Sequence, residues 1–112
     1  VKTLIGKIDM DDPYENIHAK EPQFNEILHE QIRKQLDGNR YEFNPEADYE
    51  GLGYTISGTM FWMNNSSVNT YNIRYQGKDV KKVTIPPFTT KTPKKIAKKI
   101  ADSIVKEIQK LE

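Results

Sequence analysis

The sequence predicts a single α+β domain, residues 1–112, in the order β-α-β-β-β-α, with two helices packed on one face of a mostly antiparallel sheet. Three observations carry this. Two segments, near Pro22–Asp37 and Pro93–Leu111, place apolar residues at helical spacing. Between them lie three β-rich runs separated by short Asn, Ser, Gly and Asp turns, and 8 of the 11 aromatic residues fall between Tyr41 and Tyr75. A chain of 112 residues without cysteine is long enough to bury a conventional core without disulfides.

Val1–Met10 alternates Leu4, Gly6, Ile8 and Met10 against Thr3, Ile5, Lys7 and Asp9, which predicts a half-buried strand. Asp11–Lys20 is polar, contains Pro13 and reads as a loop leading into Pro22, which suits a first helical turn. Phe24, Ile27, Leu28, Ile32 and Leu36 then form one apolar stripe, and Asp37-Gly38-Asn39 stops the helix near Asp37. Tyr41–Phe43 reads as a short strand, followed by a turn-rich acidic connection from Asn44 to Gly53.

Tyr54–Met63, Val68–Gln76 and Val80–Ile85 form an antiparallel meander. A four-residue loop Asn64–Ser67 sets Met63 against Val68, Met60 against Tyr71, Gly58 against Ile73 and Ile56 against Tyr75. A three-residue second loop sets Ile73 against Val83 and Tyr71 against Ile85. One face then gathers the apolar residues. The other collects Thr55, Ser57, Thr59, Thr70, Asn72, Arg74, Lys82 and Thr84, polar except around Phe61 and Met63. Pro86-Pro87 ends the last strand. Thr92 is the expected N-cap, with Pro93 at the first helical position and Ile96, Ile100, Ile104, Ile108 and Leu111 along the buried stripe.

Charge divides the chain. Residues 1–56 carry 6 Lys/Arg against 12 Asp/Glu, and residues 57–112 carry 11 against 4, so halves of −6 and +7 hide under a net charge of +1. The positive charge concentrates at the start of the last helix, on Lys91, Lys94, Lys95, Lys98 and Lys99. The helix macrodipole disfavours cations in a first turn, so these lysines point to phosphates or an acidic protein surface, against the plainer reading of a solvated face. Phe61 and Met63, beside Asn72 and Arg74, form a second candidate contact on the open sheet face.

Chemistry is largely excluded. His29-Glu30-Gln31-Ile32-Arg33 opens like a zinc-protease helix, but Arg33 stands where the second histidine ligand is required. Asp9, Asp11, Asp12 and Glu15 lack the turn glycine of a calcium loop. There is no nucleophile motif or phosphate-cradling glycine loop, and His18 and His29 have no evident partner. The expectation is a non-enzymatic chain with no metal and no cofactor. No apolar run is long enough to span a membrane. The Asn64 and Asn65 N-x-Ser patterns matter only in a glycosylating secretory pathway.

Two resemblances add to this reading. Glu46-Ala47-Asp48-Tyr49 before Gly53-Tyr54-Thr55-Ile56-Ser57-Gly58-Thr59, together with Ile96–Ile104 of the closing helix, resembles small bacterial envelope domains typified by the TolB N-terminal domain and the CsgG and LpoB lipoproteins. Glu50–Gly53 intervenes where that group usually runs straight into its strand. The resemblance implies a non-catalytic periplasmic or outer-membrane-associated module, often lipid-anchored, that docks onto a protein partner of the cell envelope. Because the chain does not open on Met, a leader or anchor is expected upstream of Val1. The alternative is a cytoplasmic, double-stranded-RNA-binding-like domain. Lys94-Lys95-Ile96-Ala97-Lys98 resembles that family's phosphate-contacting helix start, and Phe24-Asn25-Glu26 the opening of its first helix. Asn64–Ser67 lacks that family's Gly-Pro-x-His loop, and an acidic first half opposes phosphate.

Overall fold

The computed structural model describes residues 2–12, 24–44, 53–90 and 92–112. Its elements are β1 (Thr3–Asp11), α1 (Phe24–Gln35), β2 (Tyr41–Phe43), β3 (Tyr54–Met63), β4 (Ser66–Tyr75), β5 (Lys78–Ile85) and α2 (Pro93–Leu111). The five strands form one sheet in the order β2-β1-β3-β4-β5. β1 runs parallel to both β2 and β3, while the longer β3-β4 and β4-β5 ladders are antiparallel. This is the expected α+β architecture, mostly antiparallel, with both helices on one face.

The helices bury the stripes that their sequences display. Ile96, Ile100, Ile104 and Ile108 of α2 are fully buried, as are Phe24, Leu28 and Ile32 of α1. Ala97 and Ala101 are also buried, and such small side chains let α1 and α2 approach closely. Gln35 Nε2 donates to Asp102 Oδ1 at 2.8 Å across that helix pair. Leu111, expected on the buried stripe, is 39% exposed as the final residue of α2, while Ile108 in the same turn stays fully buried. Thr92 is extended (φ −77°, ψ 119°), as an N-cap is, but its hydroxyl makes no capping bond.

Several boundaries and registers differ from expectation. The expected start of α1 at Pro22 lies outside the described residues, and its end comes at Gln35 rather than Asp37. There the Asp37 carbonyl accepts from the N–H groups of Arg40 and Tyr41 at 2.9 Å, turning the chain directly into β2. In β1 the strict alternation breaks. Ile5 pairs Tyr54 but Ile8 pairs Ile56, so β1 carries one extra residue, and this bulge puts Ile5, Ile8 and Met10 all in the core.

Both hairpins turn earlier than expected. Met63 pairs Ser66, not Val68, through a two-residue turn in which Asn64 (φ 52°) and Asn65 (φ 63°) are both left-handed. Gly58 therefore opposes Tyr71, Ile56 opposes Ile73, and Met60 opposes Asn69. The second turn, Gln76-Gly77 (φ 52° and 78°), sets Tyr71 against Val83 and Asn69 against Ile85, with Val80 bulged out of β5. These primed turns match the right-handed strand twist. The register moves by two residues in each hairpin, so the face assignments survive.

Asn65→Gly should stabilise the domain by a few tenths of a kcal/mol to about 1 kcal/mol, whereas Asn64→Val should cost about 1–2 kcal/mol, because a β-branched residue resists positive φ. Urea unfolding midpoints check both signs.

Candidate functional site

The described residues bring the expected site residues together only in part. Met63 is 55% exposed at the tip of the β3-β4 hairpin. Phe61, half-buried on the same strand face, pairs with half-buried Val68. These three side chains make an apolar tip on the open sheet face, since that face alternates with the core face along both strands.

Asn72 and Arg74 are not beside this tip. They lie four and six residues along β4 from Val68, roughly 13 and 20 Å away at strand rise. Asn72 sits between Ser57 and Lys82 in the sheet. Arg74 is committed to the second hairpin: its Nε is 3.3 Å from Asp79 Oδ1, and an Nη donates to the Gly77 carbonyl at 2.8 Å. The shorter turns and tight hairpin chemistry remove this arginine from the contact set.

The lysines divide similarly. Lys98 Nζ lies 3.6 Å from Asp102 Oδ1, an i,i+4 pair that offsets its charge. Lys94 and Lys95 are exposed and, among the described residues, have no ion-pair partner. Two contacts place their helix end near the hairpin. Ser67 N–H, next to the turn, donates to the Phe88 carbonyl at 2.8 Å, and the Lys99 ammonium stands 5.7 Å above the Phe88 ring. The apolar tip and the unpaired cations thus occupy the same end of a molecule measuring 43 × 22 × 21 Å.

The charge split acquires a geometry. Its boundary, between Ile56 and Ser57, falls inside β3, the middle strand of the sheet. The described residues before it build β1, α1 and β2 on one flank; those after it build β4, β5 and α2 on the other. Among the described residues the first flank is close to balanced, with 5 Lys/Arg against 7 Asp/Glu, and the second is basic, with 10 against 4, including Lys78, Lys81, Lys82 and the α2 lysines. Lys81 Nζ reaches Glu107 Oε2 at 3.4 Å and Lys110 Nζ reaches Oε1 at 3.5 Å, and these lysines hold the Glu107 carboxyl below its ordinary range against the opposing effect of burial.

His29, which the sequence leaves without a partner, has a structural one. β2 pairs only Thr3–Ile5 of β1, so beyond Ile5 that edge of β1 meets α1 instead of a strand. His29 Nε2 lies 2.7 Å from the Ile8 carbonyl, and Asn25 Oδ1 accepts from Met10 N–H at 3.1 Å. Two α1 side chains stand in for a missing ladder. Since the carbonyl only accepts, Nε2 carries the proton. The signal for this was available in principle as polar residues facing inward on α1, but it requires knowing how short β2 is.

Burial lowers the His29 pKa from 6.5, outweighing the Ile8 carbonyl, Asp9 and Glu26, which raise it. Its contribution to stability is therefore present above about pH 6.5 and declines as pH falls through that value toward the lower folded-state pKa. Urea midpoints measured between pH 7.5 and 5 should fall more in the native protein than in His29→Gln.

Among the described residues, no three His, Asp or Glu side chains group closely enough to hold a metal ion. His18 and Glu15 lie outside them, as do Lys91 and Glu46–Tyr49, which carry part of the envelope resemblance. No described helix is long and apolar enough to cross a membrane.

No protein-family model and no curated protein matches the chain. One solved structure, described only as "Crystal structure of uncharacterized protein", is similar with a TM-score of 0.65 over 96% of this chain and 99% of that one, at 8% identity. At that identity the likeness concerns the fold alone.

Proposed function

We propose that this chain is a non-catalytic protein-interaction or assembly domain of the bacterial envelope, periplasmic or outer-membrane-associated, which docks through the hairpin end of its sheet. One observation carries the reading. An exposed Met63, flanked by Phe61 and Val68, shares an end of the molecule with Lys94 and Lys95, cations that no carboxylate neutralises among the described residues. An apolar centre with a charged rim is the composition of a protein-docking surface. Such a surface prefers an acidic partner, and the resemblance to envelope lipoprotein domains supplies the compartment and the upstream anchor.

The alternative, duplex RNA, is favoured by the same unpaired lysines. Against it stand the two-residue Asn64-Asn65 turn, too short to enter a groove as a loop, and the pairing of Lys98 with Asp102.

Electrophoretic shift with a duplex RNA of about 20 base pairs, spanning more than one double-stranded-RNA footprint, at low and high salt separates the two. The docking reading expects no shift. A salt-dependent shift abolished by Lys94→Glu with Lys95→Glu would replace it with the RNA reading. Fractionation of cells producing the full-length protein should place it in the envelope, and a purely cytosolic location would overturn the assignment of compartment.

A further inference from the structure

A groove of about 260 Å³ opens where the last turn of α2 passes the ends of β3 and β4, lined by Tyr54, Tyr75, Val80, Leu111 and Glu112. It lies at the opposite end of the strands from the Asn64-Asn65 turn, because Tyr54 and Tyr75 are the pair most distant from that turn in the β3-β4 ladder. The two tyrosine rings are 4.5 Å apart between centroids and tilted by 43°, packed on each other, with Tyr54 4% exposed and Tyr75 half-buried, so the groove offers part of the Tyr75 ring. Val80 and Leu111 rim the groove at 43% and 39% exposure. Two large apolar side chains are thus left in water on either side of one depression.

Three sources of negative potential converge there. Aromatic faces carry the negative part of the ring quadrupole. The C-terminal end of α2, whose cap Glu112 N–H donates to Ile108 O at 3.2 Å, carries the negative end of the helix dipole. The Glu112 carboxylate, which accepts a hydrogen bond from the Tyr54 hydroxyl, adds a full charge beside the tyrosines. Burial first, then this carboxylate, pushes the Tyr54 hydroxyl up to about 12, and the same two causes raise Tyr41. Of the neighbouring cations, Lys110 is held by Glu107 at 3.5 Å, and Lys78 lies across the ladder from Tyr75.

An anion is repelled by the carboxylate and the helix end, and a neutral apolar ligand gains nothing from that charge. A primary ammonium is strongly hydrated and gains little from Val80 and Leu111. A cation sheathed in methyl groups uses all of them, the charge facing the Tyr75 ring and the carboxylate and the methyls covering the rim. We infer that this groove binds a trimethylammonium group, held by the Tyr75 ring, the carboxylate of Glu112 and the apolar rim of Val80 and Leu111.

Free choline and the headgroup of phosphatidylcholine present the same chemistry, so the test has two arms. In the first, choline is titrated into the protein while the tyrosine ring resonances are followed by NMR. Saturable shifts at Tyr54 and Tyr75 are expected with a dissociation constant of about 1–10 mM. The uncharged isostere 3,3-dimethyl-1-butanol should bind at least about tenfold more weakly, and Glu112→Gln, at an exposed helix end where folding is not at stake, should weaken choline by about tenfold. Tyr75→Leu should weaken it about three- to fivefold. In the second arm, the protein is sedimented with phosphatidylcholine vesicles. Co-sedimentation competed by free choline assigns the site to lipid headgroups, and its absence beside choline binding assigns it to a free ligand. No saturable shift up to about 100 mM choline, far above that range, overturns the inference. So does equal binding of the isostere, or an unchanged affinity in Glu112→Gln.

Discussion

Replacing Gly58 with alanine should cost the domain about 3 kcal/mol or more, a large share of the roughly 5–15 kcal/mol by which domains of this size are stable. A Cβ at this position would overlap the Thr70 carbonyl oxygen and lie 2.7 Å from Tyr71 Cβ and 2.8 Å from Met10 Sδ. Met10 Sδ belongs to a flexible side chain and can yield, but the Thr70 oxygen is backbone in the middle of β4, paired on both sides. Relief requires moving a central strand. Gly58 faces Met10 in one ladder and Tyr71 in the other, so the missing side chain is what lets a fully buried Tyr71 occupy the core there. Thermal unfolding followed by circular dichroism should show a midpoint lowered by about 10 °C or more, whereas Ser57→Ala, exposed on the next residue, should change it by no more than about 2 °C. A Gly58→Ala protein that melts with the wild type would mean that β3 and β4 are not in the register described.

Ile104→Ala should be comparably damaging by the opposite route, leaving a void. Ile104 is fully buried in the middle of α2, with Ile100 and Ile108 a turn away on either side. Removing three heavy atoms there forfeits transfer energy and leaves a cavity that flanking turns, fixed by their own buried isoleucines, cannot collapse. The expected loss is about 3–4 kcal/mol, with Ile104→Val losing about 1 kcal/mol. Leu111→Ala, on the same helix but 39% exposed, should cost well under half of the Ile104→Ala value. Urea unfolding separates these cases. Equal effects at 104 and 111 would contradict the packing of α2 against the sheet.

What could be read from the sequence follows from how local its cause is. Helix α2 was legible to the residue because Pro93 opens it and four isoleucines at i,i+4 spacing line it. The core and open faces of β3 and β4 were legible because alternation depends only on parity, and a slip of two residues preserves parity. The slip itself was not legible. Asn64, Asn65, Ser66 and Ser67 all favour turns, and the choice falls on the two asparagines because they tolerate positive φ while Ser66 and Ser67 are drawn into the ladder. The β1 bulge and the place of β1 between β2 and β3 depend on pairing across long stretches of chain, which no local pattern records. The same holds at the candidate site. Met63, Lys94 and Lys95 stand out as candidates from residue type and position alone, but that Arg74 is engaged by Asp79, and Lys98 by Asp102, are outcomes of folded geometry. His29 was read as partnerless because its partner is a main-chain carbonyl, a group present at every residue and specified by none.

The docking proposal is tested most directly by site-specific photo-cross-linking in cells producing the full-length protein, with the photoreactive residue placed in turn at Met63, Lys94, Lys82 and Gln109. The account predicts one discrete adduct with the same envelope protein from positions 63 and 94, at the hairpin end, and none from 82 or 109, lost when Lys95 is replaced by Glu. Adducts from 82 or 109 but not from 63 and 94, or cross-links to RNA from position 94, would contradict it.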